Sequence, residues 1–391
     1  MMRIAIIGDC DTFFFRGRER PPGTGPYRLS PLLNLVRGFQ ELGVTGFHYV
    51  VINREVKSRS VEQGPFGILH SLPRRPLSGT STFHIWRRWQ LLRELALIQP
   101  DLVHAQGSEE QYAFTAVTSP YRHVVTFHGI MHRVHEISPP PLFSTSHVPR
   151  WLEKLVIRRA QHVICISGET ENFLRRHHSP ARLHRIPNAM APCFFQVQPA
   201  PRKTDGFTLL YVGHIEPRKG LLHLVESLPA VLKTLRQPVR LLVIGGGMHS
   251  GYQETVARRA AELKVDTMIE WRGVQLEGAV AEAMAQSDLL VLPSFWENLP
   301  MCVGEAMAAG LPVISTTAAA IGEMVEHEKT GLVVEPGNVP QLAAALIRLL
   351  SDPALRAAMG QAGWAKAQRL YTPRTVAEKT LAVYREILAG S

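Results

Sequence analysis

Cysteine is scarce in this sequence, and the few cysteines do not cluster. Cys10, Cys165, Cys193 and Cys302 are far apart among 391 residues and form no Cys-x-x-Cys pair. Zinc fingers and disulfide frameworks require more closely spaced cysteines, so this spacing argues against both. It is typical of reduced thiols in a cytoplasmic protein.

Long apolar runs are also missing. No stretch reaches the length of about 20 residues that a membrane-spanning helix requires. The first residues, MMRIAIIGDCD, meet Asp9 and Asp11 too early for a secretory signal peptide. They are instead predicted to form a buried first strand.

Acidic residues are under-represented in the first half only. Residues 1–200 contain 24 Lys and Arg against 14 Asp and Glu, whereas residues 201–391 contain 19 of each. A basic half predicts an anionic partner, for which a phospholipid surface, an anionic acceptor and nucleic acid are candidates, although a merely soluble basic surface explains the charge equally well. The arginines are not interleaved with aromatic residues as in RNA-binding modules, so no nucleic acid is expected. We retain peripheral membrane contact through the basic half as a hypothesis.

Short β-rich apolar segments alternate with longer amphipathic segments, and this pattern starts twice. In the first half, strands are predicted at RIAIIG (3–8), FHYVVIN (47–53), DLVHAQ (101–106), HVVTFHG (123–129) and HVICIS (162–167). In the second half, strands are predicted at FTLLYVG (207–213), RLLVIGGG (240–247), MIEWRGV (268–274), DLLVLPS (288–294) and PVISTT (312–317). Such alternation predicts two α/β domains with parallel, doubly wound sheets.

The first helix has clear boundary signals. Ser30 suits the N-cap, Pro31 the first helical position and Gly43 the position after the helix. Three Pro- or Gly-rich segments, 17–27, 63–82 and 137–149, are predicted to be long loops of functional importance.

The domain boundaries follow from composition. Residues 1–190 are predicted to form the first domain, and the Pro-rich, aperiodic residues 191–206 a linker. Residues 207–370 are predicted to form the second domain, and residues 371–391 a final amphipathic helical segment.

The most informative motif is SFWENLPMCVGEAMAAGLPV (294–313), which follows a predicted strand and opens a helix. Pro300 suits the first turn of that helix. The free N–H groups near Leu299 and Met301, at the positive end of the helix dipole, suit a diphosphate.

Two acids lie in the same motif. Glu297 is predicted in the loop before the helix and Glu305 about one turn inside it. Carboxylates near sugar or ribose hydroxyls accept hydrogen bonds and orient the ligand. Taken alone, such a pair is more typical of a helix-start acid at Glu297 and a solvated helical residue at Glu305 than of a ligand site.

The second motif is YVGHIEPRKG (211–220), directly after the first strand of the second half. A glycine turn at Gly213 lets backbone approach a ligand, and Lys219 can neutralise phosphate charge. A surface turn with exposed cations is the alternative. The triple glycine 245–247 also follows a strand but lacks the GxGxxG spacing, so it predicts a close strand-to-helix turn rather than a dinucleotide site.

In the first half, His128 ends a predicted strand and can meet a substrate hydroxyl or a leaving phosphate. A hydrogen-bonded turn histidine is the alternative. His132 and His135 lie nearby, but three histidines without a matching carboxylate are weak evidence for a metal site.

The spacing Glu297-x7-Glu305, with its flanking Ser, Pro, EAMAxG and PVI, closely resembles the signature of the retaining glycosyltransferases of family 4, which have the GT-B fold. The resemblance is dense over residues 207–340 and looser before them. It implies two Rossmann-like domains facing across a cleft. It further implies that Glu297 contacts the donor sugar and Glu305 the ribose hydroxyls.

The second motif resembles the VGR-x3-x-KG element of the same family, in which an Arg and a Lys bind the donor diphosphate. Lys219 matches, whereas His214 replaces the usual Arg and would be mostly neutral near pH 7. Arg218 is the candidate replacement cation. The resemblance also places the backbone at Val274 beside the nucleotide base.

The resemblance extends loosely to the first half. It implies that His128 faces the donor sugar and that Gly23 and Gly25 form a loop facing phosphate or acceptor. Asn188 is interpreted as structural. The final helix is implied to cross back onto the first domain.

The activity implied is transfer of a sugar from a nucleotide-sugar donor to an acceptor hydroxyl of a glycan or lipid-linked glycan, with retention of configuration and without metal or other cofactor. Three alternatives stay open. A glycoside hydrolase would need paired carboxylates roughly 5–10 Å apart. A sugar-nucleotide epimerase shares the fold, and a non-catalytic module would bind the donor without turnover.

Overall fold

The protein was examined as a computed structural model, which describes residues 2–10, 12–16, 31–54, 56–74, 82, 84–108, 111–137, 145–197, 206–247 and 251–390. These residues form two compact units. Unit 1 contains the described residues up to Ala189 together with those from Pro373 onward, and unit 2 those from Met190 to Thr372.

The described part of unit 1 is built on an eight-stranded sheet. Its strands are β1 (Ile4–Ile7), β2 (His48–Asn53), β3 (Ser60–Gly64), β4 (Gly67–Pro73), β5 (Leu102–Gln106), β6 (His123–Phe127), β7 (His162–Cys165) and β8 (Arg182–Arg185). Their order is β3-β4-β2-β1-β5-β6-β7-β8, and each pair is parallel except β3–β4. The strand order reverses between β1 and β5, as in doubly wound sheets.

Helices connect these strands. They are α1 (Thr12–Phe15), α2 (Pro31–Glu41), α3 (Ile85–Ile98), α4 (Gln111–Val117), α5 (Met131–Ile137), α6 (Val148–Arg159) and α7 (Gly168–Arg176). All four residues of β1 are buried, as expected for a central parallel strand covered on both faces. Helix α2 begins at the predicted Pro31, while the predicted N-cap Ser30 lies outside the described residues.

The prediction of a long loop over residues 63–82 is wrong for its first part. Strands β3 and β4 form an antiparallel hairpin in which Gly64 pairs with Gly67. The ring of Phe66, at the hairpin tip, stacks on Phe14 with centroids 4.4 Å apart. The glycines and proline that favour a long loop are here part of the tight turn that a hairpin requires.

The other two predicted loops are described in part or not at all. All of residues 17–27 lie outside the described residues. The segment 137–149 is shorter than predicted at both ends, because α5 extends to Ile137 and α6 begins at Val148.

Unit 2 has a six-stranded, wholly parallel sheet among its described residues. Its strands are β9 (Phe207–Val212), β10 (Val239–Ile244), β11 (Ile269–Gly273), β12 (Leu289–Val291), β13 (Val313–Thr316) and β14 (Gly331–Val334), in the order β11-β10-β9-β12-β13-β14. Its helices are α8 (Pro192–Phe195), α9 (Leu221–Leu235), α10 (Tyr252–Glu262), α11 (Glu277–Ala285), α12 (Met301–Ala308), α13 (Ile321–Met324), α14 (Val339–Ser351) and α15 (Pro353–Leu370).

The start of the predicted linker belongs to the core of unit 2. Met190 and Phe194 are fully buried and contribute to the same apolar core as the strands of this unit. Residues 198–205 lie outside the described residues. The segment that could act as a linker is therefore shorter than residues 191–206.

The last helix, α16 (Pro373–Ala389), is part of unit 1 and packs along α2. A side chain at Gly38 would lie 2.0 Å from the carbonyl oxygen of Pro373, so only glycine permits this approach. The hydroxyl of Tyr384 lies 2.5 Å from Nδ1 of the buried His104. The chain therefore leaves unit 2 and ends on unit 1.

The prediction of two α/β domains with doubly wound parallel sheets is confirmed. No helix among the described residues combines the length and the apolar character needed to span a bilayer.

Candidate functional site

The loops after β9 and β12 meet in unit 2, at the point where its strand order reverses. The backbone N–H of Phe295 donates to the carbonyl of Arg218 over 2.8 Å. Gly220 has a φ of +73°, and a side chain on it would lie 2.0 Å from the carbonyl oxygen of Pro293. Open α/β sheets bind their ligands beyond the carboxyl ends of strands at such a reversal. The two sequence motifs therefore meet at the expected ligand position.

A buried ion pair joins the two motifs. The Nζ atom of Lys219 lies 2.5 Å from Oε1 of Glu297, and the exposed fractions of the two side chains are only 12% and 7%. The hydroxyl of Ser294 donates to the same oxygen over 2.9 Å. The carboxylate thus has a cation and a hydroxyl donor, which satisfies the requirement that a buried charge be paired.

Arg218 mainly links these two loops through hydrogen bonds. Its Nη2 atom donates to Oε1 of Glu216 over 2.6 Å, and its Nη1 atom donates to the carbonyl of Trp296 over 2.8 Å. Nη1 also lies 3.8 Å from Oε2 of Glu297. Two cations of the second motif, Arg218 and Lys219, therefore approach the Glu297 carboxylate.

Glu305 lies on α12 and is only 2% exposed, so its interpretation as a solvated helical residue is excluded. Burial raises the pKa of its carboxyl to about 8, with a further contribution from the charge of Glu277. Burial also raises the pKa of the neighbouring Cys302 thiol to about 12. The charge of Lys219 opposes that rise, whereas Glu305 and Glu297 add to it. The charges of Lys219 and of both acids therefore all act on this thiol.

The carboxyl ends of β9, β10 and β11 come together through glycines. Gly245 has a φ of +147°, and a side chain there would lie 1.8 Å from the carbonyl oxygen of Gly213. Its N–H donates to the carbonyl of Gly273 over 2.8 Å. The adjacent Val274 is 49% exposed, and His214 is also exposed. The triple glycine thus belongs to the ligand side of the sheet, a role that its position after a strand could have indicated.

Helix α12 begins at Met301, and Pro300 occupies the N-cap with extended backbone. Leu299 and Met301 are partly buried and pack against the core of unit 2. The start of the helix therefore follows directly on the loop that contains Glu297, as the sequence predicts.

In unit 1, His128 follows the carboxyl end of β6. Its Nε2 atom lies 2.7 Å from Oε1 of Gln106, which ends the neighbouring β5. Burial lowers the pKa of His128 to about 4, and a hydrogen bond with Asn188 acts in the opposite direction. The imidazole is therefore neutral at neutral pH and suits hydrogen bonding rather than charge neutralisation.

His128 lines a pocket that lies entirely within unit 1. Gln106 and Asn188 line the same pocket, which also reaches His104 and Thr126. The sequence interpretation of Asn188 as structural therefore overlooked its place beside His128. No sequence pattern had singled out Gln106, because its role depends on the pairing of β5 with β6.

Gly23 and Gly25 lie outside the described residues. The Nδ1–H group of His132 donates to Oε2 of Glu153 over 2.5 Å. It does not form a metal-ligand set with His128 and His135 in the part of the chain that the structure describes.

A different group among the described residues has its potential ligand atoms close enough together to hold a metal ion. Ligand atoms of His162, His184 and Glu386 lie within 4.8 Å of one another in unit 1. The Glu386 carboxylate already pairs with Arg182 at 2.7 Å. None of these three residues is among those predicted to bind a nucleotide-sugar donor.

Family models match most of the chain in two parts. Residues 32–192 match the model described as Glycosyltransferase Family 4, and residues 195–365 match the model described as Glycosyl transferases group 1. The boundary between the two matches falls close to the boundary between the two units.

One curated relative is the GDP-mannose-dependent monoacylated alpha-(1-6)-phosphatidylinositol monomannoside mannosyltransferase of Corynebacterium glutamicum. It is 32% identical over 192 residues, which cover 46% of this chain and 49% of that protein. The first curated relatives are matched over 45% to 67% of their own length, so most are matched over less than two thirds.

Solved structures resemble the whole chain. Sucrose-phosphate synthase from Thermosynechococcus elongatus has a TM-score of 0.80 and 20% identity, with complete coverage of both chains. HepE from Anabaena, solved in complex with UDP-glucose, has a TM-score of 0.71 and 17% identity, with coverage of 99% of this chain and 100% of that chain. At these identities the likeness shows the fold.

Proposed function

The chain belongs to the family 4, group 1 glycosyltransferases, and from that premise we propose that it transfers a sugar from a nucleotide-sugar donor to an acceptor hydroxyl with retention of anomeric configuration. The observation that carries this proposal is the buried Lys219–Glu297 pair at the strand-order reversal of unit 2.

The pair has the chemistry that a sugar diphosphate requires. In the free chain, Glu297 neutralises Lys219 at 2.5 Å. A donor diphosphate brings two negative charges, which the lysine and the free N–H groups at the start of α12 can stabilise. Glu297 is then available to accept hydrogen bonds from sugar hydroxyls. Stabilising the departing diphosphate is the catalytic contribution expected of Lys219.

The nucleoside is proposed to occupy the carboxyl ends of β9, β10 and β11. A side chain on Gly213 would meet its neighbours only at ordinary contact distance, and Gly245 allows β10 to approach β9 closely. The exposed Val274 is proposed to contact the base through its main chain. Glu305, buried on α12, is proposed to accept hydrogen bonds from the ribose. Gly23 and Gly25 are proposed to face phosphate or acceptor.

The transfer itself exchanges one C–O bond for another. The acceptor oxygen bonds to the anomeric carbon, the bond from that carbon to the diphosphate breaks, and the acceptor proton passes to the departing diphosphate. His128, neutral and hydrogen-bonded to Gln106, is proposed to orient the sugar rather than to supply charge.

The donor and acceptor classes draw support from relatives. HepE from Anabaena was solved with UDP-glucose, and the Corynebacterium relative is named for GDP-mannose and a phosphatidylinositol mannoside. We therefore propose a hexose nucleotide as donor and a glycan or lipid-linked glycan as acceptor, the latter consistent with the basic first half.

A panel of UDP-, GDP-, ADP- and dTDP-sugars should identify the donor. One nucleotide class is expected to raise the thermal midpoint, because binding to the folded state alone stabilises it by about 2.7 kcal/mol at a hundredfold excess over Kd. Nucleotide released from the matching sugar, measured by a coupled assay, then reports turnover, and NMR of the product reports the anomeric configuration. Inverted product would refute retention. An isomerised donor without consumed acceptor would indicate an epimerase, and hydrolysis of simple glycosides would indicate a hydrolase.

Turnover is expected to be independent of divalent metal. Lys219 and the start of α12 supply the positive charge that Mg²⁺ would otherwise supply to the diphosphate. Released nucleotide should be formed at the same rate in excess EDTA as in Mg²⁺, within about twofold. Loss of turnover in EDTA and recovery with Mg²⁺ or Mn²⁺ would contradict this proposal.

A further inference from the structure

Helix α3 of unit 1 buries an apolar stripe of Leu91, Leu95 and Ile98, as an ordinary surface helix does, but it also exposes a second set of large apolar side chains. Four apolar side chains are exposed, by 43% to 69%, whereas three polar side chains are buried. The exposed apolar residues are Ile85, Trp86, Trp89 and Leu97. The buried polar residues are Arg87, Gln90 and Glu94. A surface helix normally buries its apolar stripe and exposes its polar one.

The exposed residues form one continuous face. At 3.6 residues per turn, Ile85, Trp86, Trp89, Arg93 and Leu97 fall within an arc of about 120°. We call these five residues the tryptophan face. Its only charged group is the Arg93 guanidinium, which lies over the Trp89 ring at 4.7 Å from the centroid.

Polar contacts on the opposite side hold the helix in this orientation. Glu94 accepts two hydrogen bonds from Arg59, over 2.6 and 2.8 Å, and lies 2.6 Å from Nδ1 of His70. Gln90 donates to the carbonyl of Pro73 over 3.1 Å. Rotating α3 to bury the tryptophans would break these buried contacts, and leaving buried polar groups without partners is costly. The outward position of the tryptophans is therefore set by the fold.

A second helix of unit 1 has a similar exposed side. Helices α3 and α6 both pack against α4. On α6, Trp151, Lys154 and Arg158 are exposed and share one face, being three and four residues apart. Neither this face nor the tryptophan face contains a carboxylate. The two faces thus expose three indoles and three cations.

We propose that the tryptophan face of α3, together with the exposed side of α6, docks unit 1 on an anionic lipid bilayer. Indole rings prefer the boundary between headgroups and acyl chains. Apolar side chains on a surface helix with neighbouring cations are typical of an interfacial membrane contact. Each Lys or Arg near an anionic surface adds electrostatic attraction to it.

The charge distribution favours a bilayer over a second copy of the chain. A self-complementary contact would bring these cations together without carboxylates on the same faces, which is unfavourable. The inference goes beyond the proposed transfer reaction. Lipid binding is measured without donor or acceptor, so its failure would leave the proposed activity untouched.

The test is flotation of the full-length protein with vesicles of phosphatidylcholine alone or with 30 mol% phosphatidylglycerol added. We expect binding to the anionic vesicles that weakens as salt is raised. Trp86→Gln combined with Trp89→Gln should reduce the partition coefficient at least tenfold, and Arg93→Glu should reduce it severalfold. Brominated lipid should quench indole fluorescence in the native protein and less in the double variant.

Trp364→Gln is the matched control, because Trp364 is an exposed tryptophan of unit 2 on α15 and should leave binding unchanged. Unchanged thermal midpoints would show that all variants are folded. The proposal is overturned if the native protein binds vesicles with and without phosphatidylglycerol equally. It is also overturned if the double variant binds anionic vesicles as well as the native protein does. It is equally overturned if the tryptophan changes abolish a concentration-dependent dimer while lipid binding is absent.

Discussion

Replacing Lys219 by Met is expected to lower kcat by about two to three orders of magnitude, the usual loss when a preorganised group that stabilises developing negative charge is removed. Lys219 lies 2.5 Å from Glu297 in the proposed donor site. The variant should also be less stable by about 3–5 kcal/mol, because it leaves a largely buried carboxylate without its cation. Released-nucleotide assays and urea unfolding measure the two effects separately.

A double variant separates catalysis from stability. Lys219→Met combined with Glu297→Gln removes both charges, and the new amide oxygen can still accept the hydrogen bond from Ser294. Stability should then recover, whereas turnover should stay at the level of the Lys219→Met variant. If stability and turnover both recovered, the ion pair would have a structural role only. The assignment of Lys219 to the donor site would then be wrong. Lys233→Ala, an exposed lysine on α9, is the control and should change neither property.

Glu305→Gln is expected to change the pH dependence of stability. The pKa of Glu305 is about 8 in the folded chain against an ordinary value of 4.5, mainly because the carboxyl is buried. The unfolded chain therefore loses this proton at lower pH than the folded chain. Stability contributed by the protonated acid is fully present below pH 4.5 and is lost as pH rises towards 8, by about 1.4 kcal/mol per pH unit. The Gln variant should lack this decline and should exceed native protein in stability at pH 8 relative to pH 5.

The same residue should link nucleotide binding to proton release. If the ribose hydroxyls donate to an ionised Glu305, binding lowers the pKa of that carboxyl. Nucleotide affinity should then rise between pH 6 and 8, and calorimetry in buffers of different ionisation enthalpy should detect released protons. In Glu305→Gln, affinity should be lower and independent of pH over this range. Glu282→Gln, at an exposed acid on α11, is the control.

A pH-independent affinity in the native protein would contradict the ribose role. The Glu305→Gln variant would then still be expected to lack the decline of stability with rising pH. That decline depends on the buried environment of Glu305 and not on nucleotide binding. The two measurements therefore test the donor role and the buried environment independently.

Much of the fold could be predicted because its signals are local. The apolar segment at 207–213 contains β9, the segment at 240–247 overlaps β10, and the helix predicted to begin at Pro31 does begin there. The hairpin of β3 and β4 was missed because its glycines and proline are equally typical of irregular loops. Only the neighbouring β2, with which β4 pairs, stabilises that segment as a strand.

The candidate site was predicted unevenly for the same reason. Glu297, Glu305 and Lys219 were found because their motifs are contiguous in sequence. Gln106 and the triple glycine were not recognised as site residues, because their neighbours come from other strands. Their positions depend on strand order, which a local pattern does not specify.

The amino-acid sequence by itself determined the two α/β domains, the alternation of strands and helices, and the residues that a sugar diphosphate would need. These follow from periodicity, turn chemistry and contiguous motifs, all of which act over a few residues. Tertiary structure alone decided that Lys219 and Glu297 form a buried pair, that Glu305 is removed from solvent, and that the tryptophans of α3 face outward. Burial and ion pairing depend on which distant segments the sheet order brings together, and that order is a property of the whole folded chain.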